Sequence, residues 1–265
     1  AGCGIGSSAG GVALMNRMPR MKGLILLGVL LYLGSLIWFL PASFVWKQIQ
    51  DQLPAQVTLE GLTGTLWSGH VSRMQVQGVD QGALRWDWQP SGLLRGRISL
   101  DMFWQPRNGQ VAAQLDVGLN ALQLKNVDGR LDAASMAAVN KAPFVLAGHW
   151  LLDVPLLELN DWQYVGQADG QLIWENAAGG LPNALPLGHL MAELSGEEGW
   201  LVFRLSDRGG PLGLRGDGRW RPGQALALNT QMQARADADA ALVGGLGLLG
   251  RPDAQGWIHW RVNLQ

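Results

Sequence analysis

The sequence is poor in cysteine and in charge. Its 265 residues include one cysteine, Cys3, so an internal disulfide and a cysteine-based metal cluster are both excluded. Charged residues make up 15% of the chain, below the roughly 25% of an average soluble domain, while hydrophobic residues make up 48%. This composition excludes an intrinsically disordered chain, which needs low hydrophobicity and high charge density. Lys and Arg number 20 against 21 Asp and Glu, so no positive surplus indicates a nucleic-acid partner.

The sequence also lacks the motifs of the common enzyme classes. It has neither the phosphate-binding Gly-x-x-x-x-Gly-Lys-Ser/Thr loop nor a Gly-x-Ser-x-Gly nucleophile motif. Its four histidines, at positions 70, 149, 189 and 259, do not have the spacing of a zinc site. Glu197 and Glu198 are interpreted as a solvated turn, because adjacent side chains point apart. We therefore expect no enzyme activity, no cofactor and no metal.

Glycine and tryptophan are the abundant residues. There are 37 Gly and 13 Trp, against 2 Tyr and 5 Phe. So much glycine favours a β-rich fold with many tight turns over a helical bundle, where glycine is costly. The tryptophans have two interpretations: they anchor a core, or they form an exposed interface or a lipid-contacting face. Core packing is the default for most of them.

The long charge-free run from Leu24 to Leu40 predicts a transmembrane helix over residues 22–41. With Gly23 it has about 18 residues, which span about 27 Å as a helix, near the thickness of a hydrocarbon core. Three cations precede it, which places the N-terminus in the cytoplasm and the rest of the chain across the membrane. The predicted anchor residues are Leu24, Leu27, Leu31, Tyr32, Trp38 and Leu40, and the orienting cations are Arg17, Arg20 and Lys22.

A cleaved signal peptide is the alternative interpretation of this segment. Its apolar part would be shorter and would be followed by small residues. Here the bulky Phe44 and Trp46 follow, so a retained anchor is favoured. Residues 1–21, rich in glycine, are predicted to be a flexible cytoplasmic head, and whether residues 1–20 are native stays open.

Beyond the anchor, residues 42–54 are predicted to form a stalk with a short helix, and the pattern then changes to a period of two. Apolar and polar residues alternate along 84–89, 97–102 and 111–120, as in the half-buried strands of an antiparallel sheet. Residues 133–141 are predicted to be helical. Within 235–249 the first half is expected to form a helical turn, while Gly244, Gly245 and Gly247 favour a loop or a packed connector after it.

A weak internal repeat divides this β-rich body into two predicted units, 55–160 and 161–265. The sequence around Gly64 resembles that around Gly170, and Gly82-Ala-Leu resembles Gly188-His-Leu. Both pairs are 106 residues apart. A duplication of β-units is one interpretation of this spacing. The units form either one continuous curved sheet or two lobes.

The most specific stretch is Val57–Gly69, which reads VTLEGLTGTLWSG. Together with Gly82-Ala-Leu-Arg-Trp86 and Gly170-Gln-Leu-Ile-Trp174, it resembles the type II secretion system protein N family. The likeness covers roughly residues 22–264. The motif positions, to which we assign a structural role, are Gly61, Gly64, Trp67, Gly69, Gly82, Trp86, Gly96, Gly170 and Trp174.

The resemblance implies a component of the inner-membrane part of the type II secretion machinery of Gram-negative bacteria. That machinery moves folded proteins from the periplasm across the outer membrane. The implied partners are other inner-membrane subunits of the machinery and the lipid bilayer, and the resemblance carries no catalytic residue. The family also looks distantly similar to AsmA-like proteins, so a lipid-binding or lipid-transfer protein with an apolar β-groove is the alternative.

Overall fold

A computed structural model describes residues 18–50, 57–76, 78–137 and 145–264. The N-terminal helix α1 covers Met18–Trp38, and α2 follows at Ala42–Ile49. Two further helices, α3 at Ala133–Ala137 and α4 at Ala240–Leu249, interrupt the strands, as does a 3₁₀ helix at Pro90–Arg95. Within the described residues, no helix combines the length and the apolar character that crossing a membrane requires.

Fourteen β-strands make up most of the described chain. In chain order they are β1 Val57–Glu60, β2 Thr63–Gly64, β3 Ser68–Val76, β4 Val79–Gln89, β5 Ile98–Gln105, β6 Gln110–Val117, β7 Ala121–Asp132, β8 Val145–Asn160, β9 Tyr164–Gly180, β10 Leu185–Glu197, β11 Trp200–Asp207, β12 Leu212–Trp220, β13 Leu226–Ala234 and β14 Ile258–Leu264.

All fourteen strands belong to one antiparallel sheet. From β3 to β14 each strand pairs with the next strand in sequence, and β1 and β2 both pair with β3. The mainly β prediction is therefore confirmed, and the body forms one continuous sheet rather than two lobes. The helical prediction for 133–141 matches α3 over its first five residues, and its last residues lie outside the described part of the chain.

The register divides the residues of the sheet between two faces. Directly paired residues point to the same side, so a chain of partners traces one face across the sheet. One such chain, here called the apolar row, contains no charged residue and runs through Val71, Leu84, Trp104, Val111, Gly129, Leu152, Leu172, Ala192, Leu205, Gly216, Thr230 and Trp260.

The row displaced by one residue faces the other way and is almost entirely polar. This polar row runs through His70, Arg85, Phe103, Ala112, Asp128, Asp153, Gln171, Glu193, Arg204, Asp217, Asn229 and Arg261. The period-two alternation in the sequence therefore produces one apolar and one polar face over twelve strands.

The core lies on the apolar face. Its buried residues come from β6 to β11, with Leu131 and Val165 among the most buried, and Trp104, Trp150 and Trp220 pack against them. A second cluster forms where α4 packs against the end of the sheet, with Leu242 and Leu246 against Leu212 and Ile258.

Helix α4 corrects the expectation for 235–249. The second half, which contains the glycines, is helical, whereas residues 235–239 are non-helical, with a turn at 236–237. Asp239 caps the helix by accepting a hydrogen bond of 2.8 Å from the backbone N–H of Ala241. Burial of Leu242 and Leu246 against the sheet offsets the intrinsic cost of glycine in a helix, which is about 1 kcal/mol per residue.

The glycines Gly82 and Gly188 occupy comparable positions at irregularities of the strand pairing. Each has a positive φ, +80° and +102°, and each lies where the register shifts. A Cβ on Gly82 would lie 2.1 Å from the carbonyl oxygen of Gln105, and one on Gly188 would lie 2.4 Å from that of Gly209. Both positions thus require glycine for the same reason. The division of the body into two duplicated units stays a prediction.

Candidate functional site

The C-terminal end of α1 meets the sheet in a group of three tryptophans, here called the aromatic corner. The ring of Trp38 lies 5.3 Å from that of Trp88 and 6.2 Å from that of Trp67, measured between centroids. The rings of Trp67 and Trp88 are 5.2 Å apart. Edge-to-face and tilted contacts at these distances stabilise an aromatic cluster by more than its buried area alone.

Backbone groups reinforce the aromatic corner. The indole N–H of Trp67 donates to the carbonyl oxygen of Ile37 at 3.1 Å, and the N–H of Leu66 donates to that of Leu40 at 3.1 Å. An isolated β-bridge joins Pro41 to Thr65. These bonds connect the last turn of α1 and the residues after it directly to the start of the sheet.

The glycines of the first motif allow this corner to pack closely. A Cβ on Gly69 would lie 2.2 Å from the ring of Trp86, so the indole occupies the space that any other residue would fill. The N–H of that indole donates to the carbonyl oxygen of Leu66 at 3.0 Å. A Cβ on Gly64 would likewise lie 2.3 Å from the backbone carbonyl oxygen of Ser68. The spacing Gly64, Trp67, Gly69 thus serves the contact between strand and tryptophan.

The other motif residues lie away from the aromatic corner. Trp174 lies on β9, where its ring stacks on Trp150 at 4.9 Å and its N–H donates to the carbonyl oxygen of Ala147 at 2.9 Å. Gly170, also on β9, packs against β8, and Gly82 lies on β4. Gly61 follows β1, and Gly96 ends the 3₁₀ helix. The motif positions therefore do not form one site.

The predicted anchor residues lie on α1 or just after it. The side chains of Leu24, Leu27, Leu31, Tyr32 and Trp38 are exposed, and that of Leu40 is half-buried. Arg20 and Lys22 lie in α1, but their side chains are outside the described part, as is the whole of Arg17. Their orienting role stays a prediction.

The apolar face is a candidate binding surface because much of it is only half-buried. Leu152 and Leu172, near the middle of the apolar row, are both in this state. Two indole N–H groups on this face, those of Trp88 and Trp150, are buried and have no acceptor among the described residues. The face is thus apolar along its length, and these two indole donors lie beneath its surface.

The two edges of the sheet differ in length and continuity. At one edge, β3 is paired in pieces, by the four residues of β1 and the two of β2. At the other edge, β14 presents seven residues whose outer side pairs with no strand in the described part of the chain. An unpaired strand is a template for a strand from another protein. The β14 edge is therefore the better candidate for such a contact.

The sheet contains two well-buried carboxylates, Asp116 on the polar face and Asp207 on the apolar face, where it pairs directly with Leu190. Burial raises the pKa of Asp116. The hydrogen bonds that it accepts from the Lys125 ammonium at 2.7 Å and from Ser99, together with nearby positive charge, outweigh this effect, so its pKa lies below the usual value. Burial likewise raises the pKa of Asp207. Hydrogen bonds from the Leu214 N–H at 3.0 Å and from Arg235 at 2.5 Å bring it below the usual value. Both groups are thus charged and paired at neutral pH.

The histidines of the polar face, His149 and His259, each lie beside one acidic residue rather than in a larger group. His149 lies 3.0 Å from Asp132, and His259 lies 2.9 Å from Asp253. Hydrogen bonds from His259 and from the Trp257 N–H lower the pKa of Asp253. Among the described residues, no cluster of three or more such groups has the arrangement of a metal site.

Sequence reasoning missed the most specific contact of the molecule. Trp38 is predicted from its position as an interfacial residue of the anchor, and Trp67 as a motif residue of the body, yet their rings pack together. Neither periodicity nor spacing signals a contact between residues so far apart in sequence. The only available signal was that each lies next to a turn.

Comparison with known proteins identifies the family. Residues 55–261 match the family described as type II secretion system (T2SS), protein N. A type II secretion system protein N from Aeromonas hydrophila is 29% identical over 233 residues, which cover 85% of this chain and 90% of the relative. Its counterpart from Klebsiella pneumoniae is 28% identical over 255 residues, covering 91% and 96%.

A type II secretion system protein N from Vibrio cholerae serotype O1 is 25% identical over 244 residues, covering 90% of this chain and 96% of the relative. No solved structure matches the chain. The family match extends from just before β1 into β14 and so includes strands β1 to β13 and the first part of β14. The chain therefore belongs to the type II secretion system protein N family.

Proposed function

We propose that this protein is a non-enzymatic subunit of the inner-membrane part of the type II secretion system. It supports the export of folded periplasmic proteins across the outer membrane through protein–protein contacts of its β-body. Family membership supports a role in secretion. The observation that carries the contact mechanism is the unpaired edge of β14, because a seven-residue strand offers backbone donors and acceptors to a partner strand.

Site-specific photocrosslinking tests this mechanism in cells at native expression. A photoreactive amino acid replaces the exposed Arg261 on β14, and in the control it replaces Asn229. Asn229 is also exposed and is the direct partner of Arg261 one strand further in. We expect Arg261 to crosslink to another secretion subunit, identified by mass spectrometry, and Asn229 to do so much less. Equal yields, or no secretion subunit at either position, would contradict strand pairing at β14.

We further propose that residues 22–41 anchor the protein in the inner membrane, with the N-terminus in the cytoplasm and the body in the periplasm. The charge-free run Leu24–Leu40, the cations before it and the exposed apolar side chains of α1 support this topology. A reporter fused after the last residue tests it. Alkaline phosphatase is expected to be active there and a cytoplasmic fluorescent protein to be dark. The reverse result would place the body in the cytoplasm.

The continuous apolar row favours a second candidate function, the binding or transfer of lipid along the sheet. A half-buried apolar face suits the acyl chain of a lipid. Native mass spectrometry of protein extracted gently from its own membrane tests this function. Retained lipid that is lost in Leu152→Gln but kept in Gln171→Ala, its polar-face control, would support it. A spectrum of secretion subunits without lipid would favour the scaffold role.

A further inference from the structure

One end of the sheet carries exposed apolar residues on consecutive connections. Leu93 and Leu94 lie in the 3₁₀ helix between β4 and β5, Leu119 lies in the turn between β6 and β7, and Trp162 lies in the turn between β8 and β9. Leu94 is 91% exposed and Leu119 is 94% exposed. Side chains of this kind on three neighbouring connections form a surface that water solvates poorly.

These connections lie at one level along the strands. A row of directly paired residues near the ends of these strands, here called the closing row, runs through Gln89, Ser99, Asp116, Gln123 and Glu158. Each connection begins within a few residues beyond this row. Their exposed apolar side chains therefore project from the same end of the sheet, here called the α1 end.

The aromatic corner lies at that same end. Trp88 precedes Gln89, the first residue of the closing row, and its backbone N–H donates to the carbonyl oxygen of Trp67 at 2.7 Å. The indole N–H of Trp67 in turn donates to the carbonyl oxygen of Ile37. The last turn of α1 therefore lies beside the closing row, at the same end of the strands. Hydrogen bonds thus hold the end of the helix at this end of the sheet.

We propose that the α1 end of the sheet rests on the membrane from which α1 emerges, with Leu93, Leu94, Leu119 and Trp162 inserted into the lipid interface. This inference rests on the proposed anchoring by α1. If the last turn of that helix lies at the bilayer surface, the connections of the α1 end lie there too. Leucine and tryptophan are suited to this position, since interfacial segments bury such side chains at the headgroup boundary.

The opposite end of the sheet provides a matched comparison. Leu248 on α4 is 90% exposed, as much as Leu94, but it follows β13 at the other end of the strands. The eight residues of β6 alone extend about 27 Å. Leu248 is therefore as accessible to water as Leu94, but in the proposed orientation it does not contact the bilayer.

Fluorescence quenching in reconstituted full-length protein tests the proposal. In a Cys3→Ser background, single cysteines are introduced as Leu94→Cys, Leu119→Cys and Leu248→Cys and labelled with an environment-sensitive dye. The protein is reconstituted in vesicles of phosphatidylethanolamine and phosphatidylglycerol, with or without a lipid spin-labelled near the headgroup. We expect the spin label to remove about half of the fluorescence at positions 94 and 119 and little at 248, as contact with the interface requires.

Flotation of the same vesicles separates this inference from the anchor proposal. If the protein floats with the vesicles but positions 94 and 119 are quenched no more than 248, the anchor stands and the lipid contact of the sheet is overturned. If the protein does not float, both proposals are overturned. Equal quenching at all three positions would also contradict a membrane contact restricted to the α1 end.

Discussion

On β7, neighbouring residues belong to opposite faces of the sheet and to different kinds of surroundings. Leu131 is 2% exposed and belongs to the main core cluster, whereas Arg130 is about half-exposed and lies 3.8 Å from Glu175. The same difference recurs along the apolar and polar rows. Stability on one face comes from removing apolar area from water, and on the other from individual ion pairs that water and salt weaken. The two faces should therefore respond differently to substitution.

The largest expected difference is between Leu131→Ala and Arg130→Ala. Truncation of a fully buried leucine removes transfer free energy and leaves a cavity, so we expect a loss of about 2–5 kcal/mol in the free energy of unfolding. Loss of an exposed ion pair should cost less than about 1 kcal/mol. Urea denaturation in detergent solution, followed by tryptophan fluorescence, measures both. Similar losses for the two variants would show that the faces are not distinct.

The polar face has its own buried position at Asp116, which allows a second comparison. Lys125→Met removes the cation that forms an ion pair with this carboxylate at 2.7 Å, at an expected cost of about 1–3 kcal/mol at pH 7. Arg85→Met is the control, because its partner Asp87 is much more exposed, and we expect a loss below about 1 kcal/mol there. If both variants lose the same amount in the denaturation assay, burial does not set the strength of these pairs.

Acid should weaken the two buried carboxylate pairs of the sheet, those of Asp116 and Asp207. The pKa values of Asp116 and Asp207 lie below the ordinary 3.8 in the folded protein, so their contribution to stability is complete above that pH and is lost as the pH falls through the folded values. We expect the free energy of unfolding to decrease below pH 3.8. In Asp116→Asn this decrease should be shallower, as measured by denaturation at several pH values. An unchanged slope in the variant would exclude Asp116 as a contributor.

The smallest expected effect concerns an arginine–tryptophan stack on the polar face. The guanidinium of Arg219 lies 4.8 Å from the ring centre of Trp200, and that of Arg221 lies 4.3 Å from it. Arg219→Leu keeps most of the apolar contact but removes the charge, so we expect a loss of about 0.5–1 kcal/mol. A double-mutant cycle that combines this variant with Trp200→Leu measures the interaction free energy between the two side chains. A coupling of zero would mean that the stack contributes only packing.

The parts of the fold that depend on local pattern were predictable. Alternation along 84–89 and 97–102 predicted two strands with apolar residues on one side, and β4 and β5 have this arrangement. The pattern works because side chains of a strand alternate between faces whatever the strand pairs with. Glycine spacing likewise indicated turns.

Contacts between distant segments were not predictable from one sequence. The packing of Trp38 against Trp67 and Trp88 depends on how α1 leaves the sheet, which no periodicity encodes. Helix α4 was mispredicted because its stability comes from burial of Leu242 and Leu246, while its local composition argues against a helix. The order of the strands also lies beyond what alternation can specify.

That order has a consequence for how the chain acquires its structure. From β3 onwards every strand pairs with the strand made just before it, so no pairing waits for a distant part of the sequence. A chain that enters its compartment from the N-terminus can add strands one at a time, each closing a short loop at small entropic cost. Until the next strand arrives, the newest one exposes its edge. Among the described strands β14 is the last to form, and no other described strand covers the edge that each earlier strand exposes only for a time.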